Sequence, residues 1–337
     1  MDTAINEEVL GRIRHRDGTI KWIYMSAQPH RRDDGASVWD GVTLDISDRK
    51  LAELELGARA RQQAAVVALG QRALAMEALS VLFDAAAETV ARTLGVALAS
   101  ILELDSQRET LRLVAGHGWP ESAIGKTTFP NLEAIPAGYA LKTRRPVIIT
   151  DLAHDSRFRV PAALKAQGAV SGLSIVIGPP ERPFGTLSAF TRTHREFSVQ
   201  DADFLRAVAN VLAAAIERAH TEQERWKLSS VVEQSPNAIA IADAEGSIEY
   251  ANHALEAMMG FSREEFVGKH TLQWANRRSR DERSRMIRDT VFSGGIWRED
   301  HQDRKKNGEV FWCREMILGI KDSVGRIANV TTIREDV

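Results

Sequence analysis

Few residues in this chain are of types that do chemistry, and they are scattered. There is a single cysteine, Cys313, so neither an internal disulfide nor a CxxC zinc site can form. His117, His154 and His194 fall in separate loops without metal-ligand spacing. His220 is followed by Thr221-Glu222-Gln223 in a helical stretch and reads as a solvated helix histidine. No G-x-S-x-G elbow, HExxH pair or G-x-x-x-x-G-K-S/T loop occurs, so no catalytic set emerges. Arg277, Arg278, Arg280, Arg283 and Arg285 form a basic run, but acids are interleaved and the run reads as a solvated helix face. The most specific chemical feature is a pair of acids at strand ends, Asp45 and Asp336. Asp45 precedes a helix start by a few residues, where its carboxylate can accept from free N–H groups. Such a contact can tie strand geometry to helix position, or be a plain cap; the residue pattern leaves both open.

These residues must be positioned by more than one core, since 337 residues imply two or three domains. Hydrophobic content of 44% and charged content of 27% are ordinary for a globular protein. The net charge of −2 and the absence of a Lys/Arg block argue against nucleic-acid binding. No apolar run approaches the roughly 18–20 residues of a membrane span. The polar N-terminus lacks a signal peptide, and with the lone cysteine this suggests a cytoplasmic chain.

Along the chain, residues 7–46 read as three strands, with turns at Asp17-Gly18 and Asp34-Gly35. A helical stretch begins at Ser47, and Gly57 and Gly70 leave open whether it is one helix or two. Residues 96–193 alternate strands with short helices, and a long helix over 198–227 closes that unit, which makes an α+β domain. Ser198 is an N-cap type, and Asp201 can face the first-turn N–H groups. Leu205, Val208, Leu212, Ala215, Ala219, Glu222 and Trp226 recur in that helix at steps of three and four, a heptad seam. To about Ile216 the helix is apolar on most sides, so it closes the domain and also offers a dimer surface; beyond, it is a polar connector. From residue 228 two short strands surround Glu245-Gly246, and Ser262 with Glu265 forms a capping box. A charged helix and three more strands follow, turning at Asn307-Gly308 and Gly325.

The two ends of the chain repeat. A shift of 290 places Asp17-Gly18 on Asn307-Gly308, Trp22 on Trp312 and Gly35 on Gly325. With one extra residue, Asp45-Ile46 falls on Asp336-Val337. The first copy lacks everything that precedes the three strands in the second. A three-stranded sheet with one apolar face is incomplete by itself, so the expectation is a fragment or a neighbouring molecule over that sheet.

Residues 228–337 resemble a PAS domain of the S-box type. The resemblance rests on Asp243, Gly246, Tyr250-Ala251-Asn252, Gly260-Phe261-Ser262, Glu264-Glu265, Gly268, Asn307-Gly308, Trp312 and Asp336-Val337. Residues 1–46 resemble the C-terminal half of the same family, and the run from Asp45 to Lys50 is similar to its exit motif. Residues 71–218 resemble a GAF domain, through Ala137-Gly138, Pro146-Val147, Asp151-Leu152, Asp155-Ser156-Arg157-Phe158, Gly185-Thr186-Leu187, Phe197 and Asp201. The expected architecture is therefore α+β: half a PAS domain (1–46), a helical linker (47–70), a GAF domain (71–218), a connector (219–227) and a PAS domain (228–337). Antiparallel-sheet domains would be joined by long coiled-coil-like helices.

The resemblance implies a sensory region in a cytoplasmic signalling protein, arranged as a parallel homodimer with Leu205, Val208, Leu212, Ala215, Ala219 and Trp226 in the seam. It would pass ligand or partner signals to an output domain outside these residues, a histidine kinase first, a cyclic di-GMP enzyme second. A ligand-free dimerisation scaffold is the third reading. No kinase H-box, GGDEF or EAL motif occurs. No cofactor is named. A flavin adduct needs a thiol where Thr271 stands, a bilin thioether needs a cysteine the GAF-like part lacks, and haem would need His270 or His253 as ligand. Ala202 replaces the glutamate of the cyclic-nucleotide pattern, so Phe197 and Asp201 read as a packing residue and a helix N-terminal acid. Cys313 reads as a small buried side chain. The pocket candidates are His270, Trp274 and Trp312, and no metal site is expected.

Overall fold

A computed structural model describes residues 7–31, 36–107, 109–130, 135–271 and 280–337. The chain divides into two compact units, Met1–Ala219 and His220–Val337. Trp274 and the Asp34-Gly35 turn lie outside the described residues.

Strands β1 (Glu7–Arg14), β2 (Ile20–Arg31) and β3 (Ser37–Asp45) form an antiparallel sheet in that order. Gly18 supplies the positive φ (+90°) that the Asp17-Gly18 hairpin requires. Ile23 is buried, whereas Leu10, Ile20, Trp39, Val42 and Leu44 are more than half exposed. Helix α1 (Ser47–Leu74) follows, and α2 (Leu79–Leu94) is a separate helix. The break comes at neither glycine but near Met76, whose backbone is left-handed at φ 58°. Gly57 and Gly70 stay inside α1, at a cost of about 1 kcal/mol each relative to alanine.

The central domain is a six-stranded antiparallel sheet ordered β6-β5-β4-β9-β8-β7. Its strands are β4 (Leu98–Asp105), β5 (Thr110–His117), β6 (Thr128–Phe129), β7 (Val147–Ile149), β8 (Ser171–Ile177) and β9 (Gly185–Thr191). One face packs Ala99, Ile101, Leu173, Ile175, Leu187 and Ala189 against α2 and the first half of α5 (Val199–Glu233). The other face packs Leu98, Leu102, Leu113 and Phe190 beneath α3 (Pro136–Thr143) and α4 (Ala162–Ala166). Burial on both faces explains why these strands read as unbroken apolar runs rather than as alternation. Helix α5 opens with a reciprocal cap. The Asp201 amide donates to Ser198 Oγ at 3.1 Å, and the Ser198 amide donates to Asp201 Oδ2 at 3.0 Å.

In the second unit, β10 (Ala238–Asp243), β11 (Ile248–Ala251), β12 (Ile296–Arg304), β13 (Val310–Lys321) and β14 (Ile327–Asp336) form one antiparallel sheet ordered β11-β10-β14-β13-β12. Helices α6 (His253–Met259), α7 (Arg263–Phe266) and α8 (Arg280–Phe292) lie between β11 and β12 in sequence. The capping box at Ser262 and Glu265 forms as its spacing requires. The repeat also holds in the ladders. Arg12 pairs Trp22 as Gln302 pairs Trp312, and Ile23 pairs Asp45 as Cys313 pairs Asp336.

Two features correct the seam reading of α5. Leu205, Val208 and Leu212 have no exposed surface and Ala215 has 5%, because all four fill the core of their own domain. They are therefore closed to a second chain. Ala219 is half-buried, and Glu222 and Trp226 are exposed, Trp226 at 68%.

Candidate functional site

The second unit holds a cavity of about 560 Å³ against the inner face of its sheet. Strand parity creates it. On β10 the inward positions are Ala238, Ala240 and Ala242, and side chains this small leave volume that a leucine would fill. Rows of paired residues then run across the sheet. One row is Trp297, Ile317, Thr332 and Ala240, and the next inward row brings Gly319, Val330 and Ala242. On the opposite side of the Ile317 row comes Glu299, Glu315, Arg334 and Ala238. The wall is thus small and apolar along one part of the strands and ionic along another.

The ionic part is a connected network. Glu315, 2% exposed, accepts from Arg334 Nε at 2.8 Å and from Arg283 Nη2 at 2.6 Å. Arg283, reaching in from α8, also donates from Nε to Glu299 at 2.7 Å. Arg334 donates from Nη1 to Asp303 at 3.2 Å. Burial alone would push the Glu315 carboxyl up, but Arg334 and Arg283 outweigh it and hold it below the usual carboxylate range. Burial likewise opposes the charge on Arg334, and Glu315 and Asp303 reverse that effect. His301 completes the group, with Nε2 3.9 Å from Asp303 Oδ2 and a buried Nδ1 that has no partner among the described residues.

A second cluster fixes the entry to this domain. Asn252 is fully buried and makes four hydrogen bonds. Its Oδ1 accepts from the amides of Ile239 and Leu255, at 2.8 and 3.0 Å. Its Nδ2 donates to the carbonyls of Val232 and Asn237, at 3.0 and 2.9 Å. One side chain therefore caps α6 and joins the end of α5 to the start of β10. Beside it, Glu233 accepts two 2.8 Å bonds from Arg263 and another from the Tyr250 hydroxyl. Burial first, then Glu233, pushes Tyr250 up to about 12.

Of the sequence candidates, His270 borders the cavity. It bridges to Ser247 and packs over Gly246, where φ is +95° and a Cβ would come within 2.9 Å of the imidazole. Trp312 also borders the cavity but is 52% exposed, because its parity on β13 is opposite to that of Phe311, Cys313 and Glu315. Thr271 lines the cavity where a flavin thiol would stand, and Cys313 is fully buried in the apolar cluster. His253 is 79% exposed on α6, 3.6 Å from Glu256. Asp45 Oδ1 accepts from the Ser47 amide at 3.0 Å, at the start of α1, and Lys21 Nζ lies 2.8 Å from Oδ2. Lys21 first, then Ser47, holds the Asp45 carboxyl well below its ordinary range. Asp336 differs, since the position matching Lys21 is Phe311, and the amine that feels its charge is that of Lys305.

The ionic network is the part that sequence reading missed. Its signal was available: Glu315 sits at the inward parity of Phe311, Cys313 and Ile317. The central domain also has a small pocket among its described residues. Its pocket at Trp119, Phe129 and Phe190 encloses about 20 Å³, space for about one water. There Phe197 is buried under the Arg195 guanidinium, and Asp201 is engaged in the helix cap. Among the described residues no His/Cys/Asp/Glu group has metal-binding geometry, and no helix is long and apolar enough to cross a membrane.

Comparison with protein families matches residues 77–217 to the GAF domain and residues 236–337 to the PAS domain. No curated protein matches the chain. Among solved structures, the chain is similar to the GAF domain of an Acinetobacter phosphoenolpyruvate-protein phosphotransferase, at 20% identity and TM-score 0.43, over 48% of this chain and 97% of that one. It is similar to a PAS domain from Colwellia psychrerythraea at 18% identity and TM-score 0.33, over 34% and 97%. The free methionine-R-sulfoxide reductase of Neisseria meningitidis, solved with its substrate, matches at 18% identity and TM-score 0.42, over 49% and 93%. The chain carries a GAF domain followed by a PAS domain, two sensory domains that indicate a signalling protein.

Proposed function

We propose that this chain is the ligand-sensing region of a cytoplasmic signal-transduction protein and that its PAS cavity is the sensing site. The observation that carries this is the PAS cavity of about 560 Å³, beside which the GAF pocket among the described residues encloses about 20 Å³. The first value lies in the range of small-molecule sites, roughly 300–1,000 Å³. In this reading the GAF domain is a packed relay, and residues 1–46 are the C-terminal half of a second PAS-type sheet, which the matched ladder registers support. The remaining assignments are a linker over 47–70, GAF over 71–218, a connector over 219–227 and PAS over 228–337.

The relay we propose starts at the cavity wall. Arg334 on β14 pairs with Ala238 on β10, the Ile239 amide donates to Asn252, and Asn252 donates to the Val232 carbonyl near the end of α5. A ligand that favours one arrangement of this wall shifts the population of helix arrangements. The output is a histidine kinase, as the family resemblance implies, and the protein acts as a homodimer that pairs through the exposed part of α5 around Trp226.

A metabolite library screened by thermal unfolding of the intact chain tests the sensing site. A ligand at about 100 times its dissociation constant adds about 2.7 kcal/mol to the PAS transition. Ala240→Leu, which fills the cavity, is expected to abolish that shift. A shift that survives Ala240→Leu, or a library without any hit, overturns the reading.

A further inference from the structure

The chemistry of the wall narrows the ligand class, on the reading of the PAS cavity as the sensing site. We infer that the cavity selects a small amphipathic organic cation, an amine whose ammonium sits among Glu299, Asp303 and His301 and whose body lies along the alanine rows.

Donors in the network are already engaged. Arg283 binds Glu299 and Glu315, and Arg334 binds Glu315 and Asp303, so each guanidinium holds two carboxylates. An anionic ligand would have to displace one of those carboxylates and then face Glu315, which is 2% exposed and cannot turn to water. Acceptors are in surplus. Among the described residues of this network, three carboxylates, Glu299, Asp303 and Glu315, stand against two guanidiniums.

His301 lies beside the network, with Nε2 3.9 Å from Asp303 Oδ2 and a buried Nδ1 that has no partner among the described residues. The remainder of the ligand is set by the rows built from Ala240, Ala242, Ile317 and Val330. They offer shape and apolar surface with no further donor required. A charge at one part of the cavity and a hydrocarbon wall along another select an amphipathic molecule over a wholly polar one.

Three probes of matched size separate the alternatives: phenethylamine, 2-phenylethanol and phenylacetate, each titrated calorimetrically into the intact chain. Phenethylamine is expected to bind at least about tenfold more tightly than either of the others, a difference of about 1.4 kcal/mol. Glu299→Gln is expected to reduce that preference while the PAS unfolding transition persists. Ala240→Leu is expected to remove binding of all three. If phenylacetate or 2-phenylethanol binds as well as the amine, and Ala240→Leu abolishes it, the cationic class is wrong and the sensing site stands. If amine binding survives Ala240→Leu, both readings fall. If none of the three binds at millimolar concentration, the cationic class is overturned and the metabolite screen alone decides the sensing site.

Discussion

Glu315 and Arg334 face each other across β13 and β14, and the carboxylate takes a 2.8 Å hydrogen bond from the guanidinium inside the PAS domain. Breaking a buried pair of this kind leaves a charge uncompensated, at a cost of about 3–5 kcal/mol. Glu315→Gln is therefore expected to lower the free energy of PAS unfolding, measured in urea, by that much. Arg314→Ala is the control, because the Arg314–Asp300 pair is half-exposed at 3.0 Å and solvent screens it, so its loss is expected to leave the PAS stability nearly unchanged. Equal effects from the two variants would remove Glu315 from the core of the argument.

The same carboxylate sets a pH dependence. Its folded pKa lies below the unfolded value of about 4.3, so the stability it contributes is complete above that value. That contribution is lost as pH falls through the folded pKa. The PAS transition is expected to weaken below about pH 4, and Glu315→Gln to flatten this acid limb. Parallel pH profiles for parent and variant would rule it out.

Asn252 joins three elements with four hydrogen bonds. Asn252→Ala leaves buried amides and carbonyls unpaired, at about 1–3 kcal/mol for each group that water cannot reach. The expected result in differential scanning calorimetry is a PAS transition lowered by at least about 2 kcal/mol, with the GAF transition in place. Asn252→Asp is expected to keep the two accepted bonds and lose the donated ones, giving an intermediate value.

Helix α5 gives opposite expectations at two of its positions. Leu212 has no exposed surface, so Leu212→Ala is expected to destabilise the GAF domain by about 2–5 kcal/mol. Trp226 is 68% exposed, so Trp226→Glu is expected to leave both unfolding transitions within about 0.5 kcal/mol. Sedimentation then reads the proposed pairing: a dimeric parent and a monomeric Trp226→Glu support it, and an unchanged species sinks it.

Cys313 is fully buried, and burial pushes its thiol up to about 11. At neutral pH the native chain is expected to resist thiol reagents, with labelling at the rate of PAS unfolding. Fast stoichiometric labelling of the folded chain would contradict this placement.

Local chemistry made much of the fold legible in advance. Asp17-Gly18 and Asn307-Gly308 are hairpin turns because glycine accepts positive φ there, at 90° and 91°. Ser262 with Glu265 formed its capping box, and Ser198 with Asp201 formed a reciprocal cap, since a three-residue spacing suffices for both bonds. The repeat at a shift of 290 reappears in the strand registers, because register follows turn position and side-chain parity.

Tertiary structure decided what those elements face. A period near 3.5 in α5 fits a coiled-coil seam and a helix buried in its own domain equally well. Only the packing of α2 and the GAF sheet against Leu205, Val208 and Leu212 selects the second. The break near Met76 depends on how α1 and α2 turn, not on Gly57 or Gly70. Strand β12, Ile296–Arg304, is almost wholly polar and reads as a surface strand. Glu299, His301 and Asp303 become a cavity wall because β13, β14 and α8 bring Glu315, Arg334 and Arg283 to them from positions distant in sequence. A lone charged residue is soluble-looking in any sequence; it takes the partner across the sheet to make burying it tolerable, and that partner is fixed only when the chain folds.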